Sequence, residues 1–351
     1  MPSKVPNYAE GSFLKNVGFM LTYKCNICCP HCIVEAGPHR KEVIDLTEAC
    51  GWIKQAREYR GGYILALALT GGEPFYDMGL LKKIAEYASS LGFIVSAVTN
   101  AYWATTPQIA EKTLEEVPAI QVLSFSTDPY HIKSVPFKNI ENAIRASKKL
   151  GRLYAISVCT DNEQNPQYKQ IITSLNAMGE EANTKTALTI PVGRAQKYAT
   201  HLRFEYTQTP SEGACTAANY PVIFPDGTVL ACNGPAIGIQ QPHPLYLGNL
   251  RQEKLQTILG RAETNSYVHI IRMWGPRKLA QLLTERGQEH LLPDQFIKGS
   301  QCDTCYKLFT DKEIINALNT ILQDKKIIDL IAYGRLYYFN EATMLQQLNI
   351  A

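Results

Sequence analysis

The chain has 351 residues, of which 45% are hydrophobic and 19% charged, and a formal net charge of +3. It is long enough to bury a full core and too apolar for disorder, and with no basic run or aromatic-interleaved patch it excludes a polyelectrolyte surface for nucleic acid. Residues 1–11 are polar and no stretch of about 18 apolar residues spans a bilayer, so neither a signal peptide nor a membrane segment is expected; in the cytoplasm this predicts, ten cysteines point to metal or catalysis rather than disulfides.

From Val17 to about Ile190, short apolar runs alternate with amphipathic ones. Strands are predicted over Val17 to Thr22, Ile64 to Thr70, Ile94 to Thr99, Ile120 to Phe125, Leu153 to Cys159 and Thr186 to Ile190. Helices are predicted between them, over Thr47 to Glu58, Leu80 to Leu91, Pro107 to Glu115, Ile140 to Leu150 and Tyr168 to Ala177. Repeated βα units give an α/β fold with parallel strands that curl into a partial, TIM-like (β/α)6 barrel. Ligands in such folds bind at the carboxyl ends of the strands. The polar residues ending each run, Thr99, Asn100, Ser124, Ser126, Asp128, Ser157 and the loop Pro191 to Arg194, are therefore candidate site residues, and each is equally readable as a turn or cap. Tyr102, Trp103, Tyr130 and His131 stand beside them, to face substrate or to pack in the core.

After the first strand comes Cys25-Asn26-Ile27-Cys28-Cys29-Pro30-His31-Cys32. Cys25, Cys29 and Cys32 place three soft thiolates in a loop, since Pro30 would interrupt a helix carrying them on one face. Such a set suits iron-sulfur ligation with one iron left open. Zinc is the alternative and would take its fourth ligand from Cys28 or His31. Further on, the apolar run Leu65 to Thr70 leads into Gly71-Gly72-Glu73-Pro74, where glycines permit close approach of the backbone to a ligand.

The second half changes character at the polar stretch Thr207 to Gly213. Cys215 follows, then Pro221 to Leu230 with Pro225-Asp226-Gly227 as a hairpin turn, then Cys232, and much later Cys302 and Cys305. Four thiolates make a closed site, open by chemistry alone to zinc or to an iron-sulfur cluster. Cys50 reads as helix core, Cys28 as out of register with the other three, and Cys159 as a strand-end thiol facing the barrel mouth. The tail Asp311 to Ala351 reads as helical, with Ile314, Leu318, Ile321 and Leu322 at helical spacing and an aromatic stripe at Tyr333, Tyr337, Tyr338 and Phe339. Any part of that stripe left exposed would be a docking surface.

The Cys-x3-Cys-x2-Cys loop and Gly71 to Pro74 together resemble the signatures of the radical S-adenosylmethionine (SAM) enzymes. His31 stands where that family usually has an aromatic residue before the third cysteine. The resemblance implies a four-iron cluster on Cys25, Cys29 and Cys32 with SAM on the open iron. It places Gly71, Gly72, Glu73 and Pro74 around SAM, with Glu73 accepting from its amino group and His31 against adenine. More loosely it implies contacts from Asn100, Ser126, Asp128, Ser157 and Gly193. Cys215, Gly227, Cys232, Leu247 to Leu250, Cys302 and Cys305 resemble the SPASM or twitch module, which implies one auxiliary four-iron cluster on the four cysteines. The domains expected are 1–204 (barrel), 205–310 (auxiliary module) and 311–351 (tail).

The chemistry implied is reductive cleavage of SAM to a 5′-deoxyadenosyl radical that abstracts a hydrogen atom from substrate. The resemblance points towards maturases of ribosomally made peptides that crosslink, epimerise or excise residues, with sugar or aminoglycoside dehydrogenases and epimerases as the alternative. A peptide reading expects a precursor peptide, a separate leader-recognition protein, since the barrel begins by about residue 17, and a flavodoxin or ferredoxin as reductant. A non-catalytic metal scaffold or electron carrier is the reading from another class; it accounts for the cysteines but not for the glycine motif behind a strand.

Overall fold

The six apolar runs become six parallel strands in sequential order, β1 (Asn16–Met20), β2 (Ala66–Thr70), β3 (Ile94–Thr99), β4 (Ile120–Ser126), β5 (Leu153–Thr160) and β6 (Thr184–Leu188). The computed structural model describes residues 13–198, 201–240 and 242–350, so the polar start at residues 1–11 lies outside the described residues. Between the strands run α1 (Leu46–Glu58), α2 (Met78–Ser90), α3 (Pro107–Glu115), α4 (Phe137–Lys149) and α5 (Pro166–Ala177). Four of these five starts have a side-chain cap. Asp45 and Asp77 accept from the third amide on, Glu48 N and Leu80 N, both at 2.9 Å, and Thr106 and Asn165 cap helices that open on proline. The periodicity of two sorts the strand side chains. Val95, Ala97, Leu123, Phe125, Ile156 and Val158 are buried under the helices, whereas Ala68, Thr70, Val98, Ser126, Ser157 and Cys159 face the barrel interior and line its cavity. On the helices the matching faces recur at three and four residues, as with Leu81, Ile84, Ala85 and Ala88 of α2.

Strand β6 begins at Thr184, two residues earlier than expected, and is the free edge of the sheet. The other edge is not where the sequence puts it. After α6 (Arg194–Lys197) and the short β7 (Tyr206–Thr207), the Pro-Asp-Gly hairpin forms from β8 (Val222–Ile223) and β9 (Thr228–Leu230), and β10 (Tyr246–Asn249) pairs with β9. Strand β8 lies parallel to β1, so one nine-stranded sheet runs β10-β9-β8-β1-β2-β3-β4-β5-β6. The join needs Gly18, whose N–H donates to Pro221 O at 2.7 Å and where a Cβ would come within 3.2 Å of Val222. The hairpin of the segment expected as the auxiliary module thus extends the barrel sheet.

The rest is helical: α7 (Leu255–Thr264), α8 (Ser266–Trp274) and α9 (Arg277–Glu285), then β11 (Phe296–Ile297) paired with β7, α10 (Gln301–Thr310), α11 (Lys312–Ile321), α12 (Lys325–Phe339) and α13 (Met344–Gln347). Ile314, Leu318, Ile321 and Leu322 are buried as their spacing predicts, whereas Tyr333, Tyr337 and Tyr338 are exposed. Buried Arg272 anchors the tail. It is sandwiched between Phe13 (4.5 Å) and Phe339 (4.0 Å) and paired with Glu341, which also accepts from Arg335 Nε at 2.7 Å. Among the described residues no helix is long and apolar enough to cross a membrane.

Candidate active site

The segment after β1 is a loop held to the barrel by its backbone. Leu21 N donates to Thr70 O at 2.7 Å, Cys25 N to Gly37 O at 3.2 Å and Gly37 N to Tyr23 O at 3.1 Å. Cys25, Cys29 and Cys32 therefore sit on turns, not on a helix face. All three line a cavity of about 440 Å³ at the carboxyl ends of the strands. His31, Gly71, Gly72, Asn100, Ser126 and Ser157 line it too, so most of the expected site residues converge there. Cys159 and His131 join them. Cys28 is exposed.

Burial pushes the Cys25 thiol up to about 12 and raises Cys32 as well. Thiols in such surroundings stay protonated until a metal displaces the proton. Ala36 N already donates to Cys32 Sγ at 3.3 Å, and Asn100 Nδ2 lies 3.9 Å from Cys25 Sγ.

Glu73 is fully buried, and its carboxylate points into the protein. It accepts from Thr99 Oγ1 (2.8 Å), Asn100 N (2.8 Å) and Phe75 N (3.1 Å), and burial raises it to about 7 despite those three donors. Gly71 and Gly72 press against the start of the cysteine loop, where a Cβ would lie 2.6 Å from Thr22 O and 2.3 Å from Lys24 O. Pro74 opens a buried turn behind them. Tyr102 and Trp103 close that turn from the side. Tyr102 Oη donates to Phe75 O at 3.2 Å, and Trp103 stacks on Phe75 and donates to Thr99 Oγ1 at 3.1 Å, so both serve packing.

Asp128 is buried behind the cavity wall and joins two histidines, His131 Nδ1 at 2.7 Å and His31 Nε2 at 3.5 Å. Burial pushes its carboxyl up, but the His131 charge and hydrogen bond outweigh that and hold it below the usual range. Burial would lower His131; Asp128 holds it well above its ordinary value. Burial alone dominates at His31, lowering it to about 4. The His31 ring stacks on Tyr130 at 4.5 Å, and its Nδ1 is buried without a partner. Gly193 lies behind the cysteine loop, against Ile33 O, rather than on the cavity wall.

Sequence reasoning missed the far wall of the cavity, which comes from the hairpin module: Tyr220, Val222, Asn233 and Ile237. The parallel joint between β8 and β1 brings these residues round, and the one sequence signal for it is Gly18. Asn233 follows Cys232 directly, and a Cβ on Gly234 would lie 3.2 Å from Cys232 Sγ and 3.8 Å from Cys302 Sγ. Cys215, Cys232, Cys302 and Cys305 form one electrostatically coupled group in which burial raises Cys232 to about 12, Cys302 to about 11 and Cys305 well above its ordinary value.

Compared with known families, residues 19–172 match the Radical SAM superfamily. That segment is a radical SAM domain. A relative in Bacillus subtilis (strain 168), "Putative peptide biosynthesis protein YydG", is 21% identical over 310 residues, covering 86% of this chain and 94% of its own. Among solved structures, native anSMEcpe with bound AdoMet superposes with a TM-score of 0.52 at 12% identity, covering 90% of this chain and 99% of its own. The same protein with bound AdoMet and Kp18Cys peptide gives a TM-score of 0.50 at 11% identity, covering 90% and 98%. At such identities the solved structures speak for the fold. The chain thus carries a radical SAM domain, the match supports an enzyme, and the resemblance to peptide maturases is supported.

Enzymes of the radical SAM family use SAM and a four-iron cluster. The residues present fit both. Three thiols share one cavity, His31 offers it a ring with an unpartnered buried nitrogen, and strand-end hydroxyls and an amide stand opposite. Among the described residues the trio of ligand atoms lying within 4.8 Å of one another is His31, Asp128 and Cys159.

Proposed function

We propose that the protein modifies a ribosomally made peptide by radical chemistry, with the cluster and SAM held in the cavity between the cysteine loop and the hairpin module. The observation that carries this reading is the shared cavity. Cys25, Cys29 and Cys32 line one wall, and Tyr220, Asn233 and Ile237, beside the second cysteine set, line another. A substrate there would lie between two metal centres. The peptide class is supported by the relative named for peptide biosynthesis, which matches over 94% of its own length.

Once bound, cluster and SAM supply a one-electron cleavage of SAM, giving a 5′-deoxyadenosyl radical that takes a hydrogen atom from substrate. The chain's own part is placement and exclusion of water. Cys25, Cys29 and Cys32 hold the cluster, and Gly71 and Gly72 bring the main chain close to SAM. Glu73 acts from behind by fixing the backbone of Asn100. Ser126 and Ser157 offer hydroxyls to the ribose and carboxylate, and His31 offers a face to adenine. Asp128 orients the two histidines, while Pro74 and Gly193 shape the walls rather than touch the ligand. Cys215, Cys232, Cys302 and Cys305 would hold an auxiliary four-iron cluster, which would supply a one-electron acceptor beside the substrate. Residues 1–204, 205–310 and 311–351 are the functional units, working in the cytoplasm with a flavodoxin or ferredoxin and a separate leader-recognition protein.

The test is anaerobic reconstitution with SAM, dithionite and a candidate precursor peptide, read by mass spectrometry. A two-dalton loss, deuterium uptake or excision accompanied by 5′-deoxyadenosine supports the reading. SAM cleavage that modifies sugars or aminoglycosides, and no peptide, replaces it with the small-molecule alternative.

A further inference from the structure

We infer that Arg194 is a positioning residue for the SAM-binding cluster, gripping the main chain of the cysteine loop and setting the cluster's reduction potential. The inference rests on Cys25, Cys29 and Cys32 being the cluster ligands and goes beyond that reading.

Within the loop, Cys32 N donates to Cys29 O at 3.2 Å and Glu35 N to Cys32 O at 3.3 Å, and the same carbonyls are also gripped from outside. Arg194 supplies that grip from 165 residues away. Its Nη1 donates to Cys29 O at 2.7 Å, its Nη2 to Ala36 O at 2.5 Å and its backbone N to Cys32 O at 3.0 Å. Two of the three ligand residues are thus held by their carbonyls, and the fork spans the loop from Cys29 to Ala36. Ala36 is also the residue whose N–H donates to Cys32 Sγ. The approach needs Gly193 at φ +61°, for a Cβ there would fall 2.4 Å from Ile33 O and 2.7 Å from Cys32 O.

A second arginine holds the loop from the other direction, and the contrast is informative. Arg40 Nη1 donates to Val34 O and Glu35 O, both at 3.3 Å, but its charge is cancelled by Glu42 at 2.6 Å. Arg194 has no carboxylate partner among the described residues. Its charge is therefore set directly against the main chain of the loop at Cys29 and Ala36. A fixed positive charge beside a cluster favours the reduced state. Carbonyls turned towards a guanidinium also leave amides free to face sulfur, which acts in the same direction. Only arginine combines the charge with a planar fork that can hold two acceptors.

The experiment uses the full chain, reconstituted anaerobically, with Arg194→Lys and Arg194→Met. Two quantities are read: the midpoint of the electron paramagnetic resonance signal that changes when SAM is added, and the rate of iron release to a chelator. Arg194→Met is expected to move the midpoint to more negative potential and to release that cluster's iron about tenfold faster or more. Arg194→Lys is expected to keep the midpoint near wild type while still releasing iron faster, because charge survives and the fork does not. Retention of only the SAM-silent cluster in Arg194→Met supports the grip. If that variant loses both clusters, Arg194→Lys decides by its release rate. Wild-type midpoint and release in both variants overturn the inference alone. A wild-type protein with no signal responding to SAM overturns the ligand reading and the inference with it.

Discussion

The backbone N–H of Asn100 donates to Glu73 Oε2 at 2.8 Å, tying the acid of the glycine motif to the end of the neighbouring strand. The same asparagine donates from Nδ2 to Asn26 Oδ1 at 3.0 Å, next to Cys25. The glycine motif, the end of β3 and the cysteine loop are thereby one hydrogen-bonded unit. Replacing Glu73 by Gln puts an NH2 group where one of the three donors needs an acceptor. We expect Glu73→Gln to lower 5′-deoxyadenosine formation by about tenfold or more, with cluster iron largely retained, as measured by chromatography and iron assay.

The same residue predicts a pH effect. Burial lifts Glu73 to about 7 from an ordinary 4.5, so in that interval the folded protein holds a proton that the unfolded chain has released. Stability from this group is fully present below about pH 4.5, declines as pH rises and levels off above about 7. Glu73→Gln does not titrate. Its stability deficit against wild type, measured by urea denaturation, should be larger near about pH 5.5 than near about pH 8.

The cysteines divide by position. Cys29→Ala should abolish SAM cleavage and lower iron from about eight to about four per chain, whereas Cys28→Ser, altering an exposed thiol, should leave both unchanged. Cys232→Ala should also lose about four irons but keep SAM cleavage in the absence of substrate. Iron assay with 5′-deoxyadenosine quantification checks all three.

Gly193→Ala forces a Cβ towards Ile33 O in a left-handed backbone, at a cost of about 1–3 kcal/mol before any clash is relieved. The strain falls on the loop that carries Cys32. The variant should lose SAM-binding cluster iron during desalting while the other four cysteines keep theirs, which Mössbauer spectroscopy would resolve.

In the tail, Glu341 serves two arginines and Arg272 serves one acid. Glu341→Ala leaves buried Arg272 and half-buried Arg335 without that counter-charge and should cost about 3–5 kcal/mol in chemical denaturation. Arg272→Met keeps the packing between Phe13 and Phe339 and leaves Glu341 its bond to Arg335, so its cost should fall below about 2 kcal/mol.

The barrel was legible because its strands obey a period of two and its helices a period near four, and the convergence of Cys25, Cys29 and Cys32 on one cavity was legible because their spacing is local. Glu73 was recognised as part of a motif, but the direction of its carboxylate depends on Thr99 and Asn100, twenty-six and twenty-seven positions on. Tyr102 and Trp103, read either as substrate contacts or as packing, are consumed by packing around Phe75, because an aromatic at a strand end buries more surface against the turn than in an open mouth. The hairpin was visible from Pro225-Asp226-Gly227, but its strand partner was not, since parallel pairing across two hundred residues leaves no periodic trace beyond Gly18.

Because β8 is hydrogen-bonded to β1, the second module is the cover on an otherwise raw sheet margin. Cutting the chain before it would leave β1 with unpaired amides and carbonyls along a row of apolar side chains, an invitation to self-association. The two cysteine-bearing halves are therefore expected to fold together, and a shortened version should precipitate rather than work as a smaller enzyme.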